Sequence, residues 1–173
     1  ADGFLILSSG AANGNFGCDL RVDPTLPYAC RDGVELTIPE RSCIVVHADP
    51  RLLVVRIRAP MLNCTVAVAR APHSKPPLPE WEAWWRSTVD ELAKYPDIVL
   101  AIVANARLGS VCNTAVGDGG FAQAEDSNGE LFHRAMLELG LCAPATFGGA
   151  DTTAFTWVSQ AGLYHRLDYI AIP

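Results

Sequence analysis

The chain has 173 residues, half of them hydrophobic, which excludes a disordered polymer and suits a single domain burying about 70% of its unfolded surface. Thirteen basic against nineteen acidic residues leave a net charge of −6. That balance excludes a protein whose grip on nucleic acid comes chiefly from bulk positive charge, but not one that meets phosphate through a bound cation.

In chain order, Gly3 to Ser9 reads as a strand and residues 10–17 as a turn, with Asn13-Gly14 as its hairpin signal. Cys18 to Val22 alternates apolar and polar, as the partner strand would, before Pro24 and Pro27 break the pattern. Strands are expected at Val34–Ile38, Cys43–His47 and Leu52–Arg58, with a turn at Asp49-Pro50. In the last of these, Leu53, Val55 and Ile57 share one face while Arg56 and Arg58 take the other. Asn63 to Ala69 is a further strand, ending at Arg70-Ala-Pro-His73.

The pattern changes at Pro76-Pro77-Leu-Pro79. From Glu80 the spacing predicts a helix with Trp81, Trp84, Trp85, Thr88, Val89 and Leu92 on one core-facing side. The unbroken run Ile98 to Ala104 is too short for a buried helix and reads as a strand covered on both faces. It stops at Asn105, the polar side chain such a strand delivers to the mouth of a sheet. Residues 111–128 are glycine-rich and acidic, an irregular surface excursion in which Asp118, Glu125 and Asp126 read as solvating charges. Asn128-Gly129 opens a second helix, apolar at Leu131, Phe132, Ala135, Met136 and Leu139, with Gly140 as its stop. Ala154–Trp157 and Leu167–Ile172 read as closing strands joined through Gly162.

The six cysteines form no C-x-x-C pair, so zinc is not expected, and they read as reduced, small core residues. No apolar stretch approaches a bilayer span, so no membrane partner is expected. Both ends look cut, and residues 1–173 read as one domain, incomplete at each end. Strands, then strand and helix alternating, then strands again suggest two packed sheets with helices outside.

Three blocks in this order resemble the endonuclease/exonuclease/phosphatase (DNase I-like) superfamily, and most of all its retroelement-type endonuclease domains. Val66-Ala-Val-Ala-Arg-Ala-Pro-His73 resembles its Y/H-x-P motif. Ile102-Val-Ala-Asn-Ala106 resembles G-D-x-N-A, and Thr156-Trp157 with Arg166-Leu-Asp-Tyr169 resembles the late T-x-W and R-[IL]-D-Y motifs.

The resemblance implies an α+β fold, a four-layer α/β sandwich of two packed, mostly antiparallel sheets flanked by helices. It implies Mg²⁺- or Mn²⁺-dependent phosphodiester hydrolysis on nucleic acid, most naturally DNA, and an intracellular or nuclear location. Carried over position by position, it makes Asn105 the phosphate-binding amide and Asp168 the carboxylate that orients a histidine. Arg70 stands at the tyrosine or histidine position, as a fixed charge for phosphate, and His73 is a second candidate beside it. Val103 stands where the motif has its aspartate, and a valine can neither hold a cation nor accept a proton. The expected outcome is impaired or lost catalysis. The alternatives are a non-catalytic remnant binding nucleic acid or protein, and a phosphatase for a small phosphoester.

Overall fold

The computed structural model describes residues 3–11, 17–73, 78–109, 111–119, 124–148 and 155–173. The expected turn at Asn13-Gly14, the Pro76-Pro77 break and Ala154 lie outside them. The chain forms two compact units, Ala1–Val68 and Ala69–Pro173. The architecture is α+β, with mixed sheets and two α-helices, as the order of sequence elements suggests.

The first unit is built from hairpins. Strands β1 (Leu5–Ser8) and β2 (Asp19–Val22) pair antiparallel. A second hairpin, β3 (Ala29–Arg31) with β4 (Val34–Leu36), turns through Asp32 and Gly33, both at positive φ. Two such residues make the type I′ turn whose twist matches the strands it joins. β3 is an addition to the sequence expectation; its three residues are too few to show a period.

β5 (Cys43–Asp49), β6 (Leu52–Ala59) and β7 (Leu62–Arg70) follow as a meander, neighbours in that order. Asp49 closes the β5–β6 turn by accepting the Arg51 amide at 2.7 Å. Leu53, Val55 and Ile57 form the middle of the core, with Leu7 and Leu20 packed on them from the first hairpin and Cys64, Val66 and Val68 from β7. Two sheets therefore face each other within this unit. Each fully buried aliphatic side chain contributes about 1.5–3 kcal/mol.

In the second unit, α1 (Leu78–Leu92), β8 (Ile98–Val103), α2 (Ser127–Leu139) and β11 (Asp168–Ala171) make the frame, and a short hairpin, β9 (Trp157–Val158) with β10 (Tyr164–His165), precedes β11. β8 pairs antiparallel with β11. Trp85 of α1 stacks on Phe132 of α2 at 5.4 Å, and Phe132 meets Tyr169 of β11 at 5.3 Å. The helices thus cover one face of this strand pair through an aromatic chain, each contact adding about 0.5–1.5 kcal/mol beyond burial. The tryptophan helix is a core element, as expected. No helix among the described residues is long and apolar enough to cross a membrane.

Two expectations need correction. β8 is not closed on both faces: Ile98, Leu100 and Ile102 are buried, but Val103 is 38% exposed because its side opens into a cleft. The 111–128 excursion is also more than a surface loop. Ala115, Val116 and Gly117 are buried, and the Gly117 amide donates to Thr146 Oγ1 at 2.8 Å. Buried His133 holds the segment from α2, with Nδ1 2.8 Å from Glu125 Oε1 and Nε2 3.1 Å from Asn113 Oδ1.

The six cysteines are free thiols. Cys18 is buried, whereas Cys30 and Cys112 are exposed, so the core role holds for only part of the set.

Candidate functional site

The site begins where β8 stops. Ala104 still donates to Leu167 O at 2.8 Å, and then Asn105 adopts φ +49°, the left-handed conformation that asparagine tolerates better than most residues. Its Nδ2 donates to Ala71 O at 2.8 Å, while the Ala71 amide donates to Val103 O at 2.9 Å. These two bonds hold the Ala71-Pro72-His73 stretch beside the end of β8.

Behind Asn105 sits Asn128, 3% exposed in the first turn of α2. Its Oδ1 accepts the Trp85 indole N–H at 2.8 Å, and its Nδ2 donates to Ala104 O at 2.7 Å and Asn105 O at 3.1 Å. A buried amide costs free energy unless its hydrogen bonds are made, and here both ends are engaged. One side chain thus joins α1, α2 and the strand end. The next residue has to be glycine, since a Cβ at Gly129 would collide with the Arg107 carbonyl oxygen.

The neighbouring wall is set by Asp126, the N-cap of α2. Its Oδ1 accepts from Gly129 N at 2.8 Å and from the Arg107 amide at 3.2 Å, and its Oδ2 accepts from Arg107 Nε at 3.0 Å. The Arg107 and Asp126 side chains are 42% and 28% exposed, so the ion pair is partly screened and worth no more than about 1 kcal/mol.

On the opposite side, Thr156 Oγ1 accepts from the amides of Leu167 and Asp168 at 2.9 and 3.2 Å, placing the start of β11. Arg166 is buried and donates through Nη1 to Ala145 O at 2.7 Å. Tyr169 is buried too, its hydroxyl 2.9 Å from Arg166 O and 3.1 Å from Ala106 O, and that burial pushes the phenol well above its ordinary pKa. Of the Arg166-Leu-Asp-Tyr169 motif, then, the arginine and the tyrosine fasten the strand in place. Asp168 lines the cleft.

These elements enclose an open cleft of about 510 Å³. Asn105, Asp168, His73 and Val103 all line it. Arg70 does not; it is exposed as the last residue of β7. Arg107, Thr156, Trp157 and His165 line the cleft as well, and so does Asp126, which from sequence alone reads as a solvating charge. An aspartate shortly before the first apolar residue of α2, Leu131, is an N-cap signal that could have found it. Arg107 could not be found that way, because its role comes from a partner nineteen residues away.

Arg107, His73, His165 and the Asn105 amide supply the nitrogen groups of the cleft wall, beside the Asp126 and Asp168 side chains. Donors of this kind can hold a phosphate oxygen. They do not fit the divalent cation that the resemblance implies. No group of three or more histidine, cysteine or carboxylate side chains able to hold a metal exists among the described residues. Asp126 is already committed to Arg107, and Val103 adds no oxygen.

No protein-family model matches the sequence, and no curated protein matches it. Solved structures do match its fold. The endonuclease domain of TRAS1, a telomere-specific non-LTR retrotransposon, superposes with a TM-score of 0.59 at 14% identity, over 99% of this chain and 66% of that one. The AP endonuclease LMAP from Leishmania major gives 0.62 at 11% identity, over 99% and 62%. The 3′ phosphatase NExo from Neisseria, bound to a product DNA hairpin, gives 0.53 at 17% identity, over 98% and 66%. The chain thus spans less than two thirds of the length of each of these structures. It has the DNase I-like fold of the endonuclease/exonuclease/phosphatase superfamily, with a retroelement-type endonuclease among its structural neighbours.

Proposed function

We propose that this chain is a nucleic-acid-binding domain of phosphodiesterase type in which cleavage is impaired or lost. One observation carries the reading: Val103 lines the cleft directly opposite Asp168, beside Asn105 and His73, and by the motif resemblance it stands at the position of the aspartate that would hold a cation or take a proton from water. Removing such a group costs about 10²–10⁴-fold in rate for acid–base work alone. The binding half of the reading is supported by the amide, guanidinium and imidazole groups that share the cleft, and by structural neighbours named as nucleases and a DNA-bound phosphatase. DNA is the substrate class we assign. Among the described residues no three histidine, cysteine or carboxylate side chains come together to hold Mg²⁺ or Mn²⁺.

The deciding experiment combines plasmid nicking and oligonucleotide cleavage, with Mg²⁺ or Mn²⁺ present, and fluorescence anisotropy on a labelled DNA strand. The expected result is binding that weakens with salt, without cleavage above background. Robust cleavage that Asn105→Ala abolishes overturns the claim of impaired catalysis. Absence of DNA binding at low salt overturns the nucleic-acid assignment.

A further inference from the structure

Arg107 is held so that only part of its guanidinium is used. Nε and the main-chain amide both bond Asp126, at 3.0 and 3.2 Å. Neither Nη group has a hydrogen-bond partner among the described residues, and the side chain remains 42% exposed on the cleft wall. A guanidinium carries five N–H donors in a rigid plane, and the edge bearing the two Nη groups matches two oxygens of one phosphate. Had this arginine served only to tether the start of α2, the bonds to Asp126 would suffice and the outer edge could face anywhere.

Resting on the nucleic-acid reading above, we infer that Arg107 is the phosphate-binding group of the cleft and holds a phosphate of the nucleic-acid backbone without a divalent metal. The fixed cation does there what a metal held by carboxylates would otherwise do. Asp126 restrains the guanidinium, so little rotamer freedom is lost on binding. Asn105 spends one of its two amide N–H groups on Ala71, leaving one more donor in the same cleft. Asp168 and Asp126 keep the affinity low, since two carboxylates share the wall with one permanent cation.

The test follows the Arg107 Nε–H resonance by NMR in EDTA, while adding either a short single-stranded DNA or inorganic phosphate, with anisotropy on a labelled copy of the DNA. The expected result is a shift of that resonance by both additions, DNA affinity the same in EDTA as in Mg²⁺, and a loss of about tenfold or more in Arg107→Gln. Arg107→Lys keeps the charge but not the fork, and falls between. DNA binding that needs Mg²⁺, or that Arg107→Gln leaves unchanged, overturns this inference and leaves the nucleic-acid reading standing. A shift with phosphate but not with DNA keeps the anion site and overturns the nucleic-acid reading, making a small phosphoester the ligand. No shift with either overturns the anion site. Because the resonance is read on the native protein, these outcomes stand even if a variant fails to fold.

Discussion

Val103 and Asp168 stand opposite each other on the antiparallel ladder of β8 and β11. A carboxylate at 103 would therefore face a second carboxylate across the shortest side-chain distance a sheet offers. Val103→Asp is expected to lower stability in EDTA by about 1–2 kcal/mol, from poorer strand propensity and like-charge repulsion. Millimolar-range Mg²⁺ should restore more of that loss in the variant than it adds to the native chain. Urea melts with and without Mg²⁺ check this. An equal response in both proteins would sink the assignment of position 103.

The Asn128 side chain can be tested independently of any ligand. Asn128→Ala leaves the Trp85 indole N–H and the carbonyls of Ala104 and Asn105 without their partner. The expected loss is about 2–4 kcal/mol, read by urea denaturation followed through tryptophan fluorescence. Asn128→Asp should be no better despite its matching shape, because its second oxygen would face two carbonyl oxygens.

Alkaline pH should destabilise the fold through Tyr169. Burial raises its pKa above the ordinary value of 10, so the folded state retains a proton that the unfolded state releases. Stability from this group is complete below pH 10 and falls as pH rises beyond it. Denaturant melts across that range should show the decline, and Tyr169→Phe should flatten it while losing the bonds to the Arg166 and Ala106 carbonyls.

Thiol reactivity should divide the cysteines by position. Burial pushes the Cys43 and Cys64 thiols up, while Cys30 and Cys112 are exposed. Because the thiolate is the reacting species, iodoacetamide at mildly alkaline pH should label Cys30 and Cys112 well before Cys43 and Cys64. Peptide mapping by mass spectrometry reads the order. Equal rates would mean that the meander opens on the labelling timescale.

Much of the fold was legible because its signals are local. Alternation in β6, the tryptophan spacing in α1 and the Gly140 stop of α2 each lie within one element. The ordered motif blocks point to Asn105, Asp168 and Arg70, with His73 as a second candidate, and Asn105, Asp168 and His73 line one cleft. What escaped was non-local or very short. β3 and β10 have three and two residues, too few for a period to register. The burial of Ala115 to Gly117 depends on Thr146, and the placing of Arg107 depends on Asp126. Arg70 sits a few residues from His73, yet only the histidine reaches the cleft. A motif gives the order of residues along the chain, whereas the strand end decides which of them turn inward.

One carboxylate both starts α2 and grips Arg107. The aim of the cation and the winding of the helix are therefore a single degree of freedom. Fraying of that first turn would release the guanidinium, and an anion seated on it would in turn discourage the helix from unravelling, so occupancy of the cleft should be felt as slower amide exchange at Gly129 and Glu130.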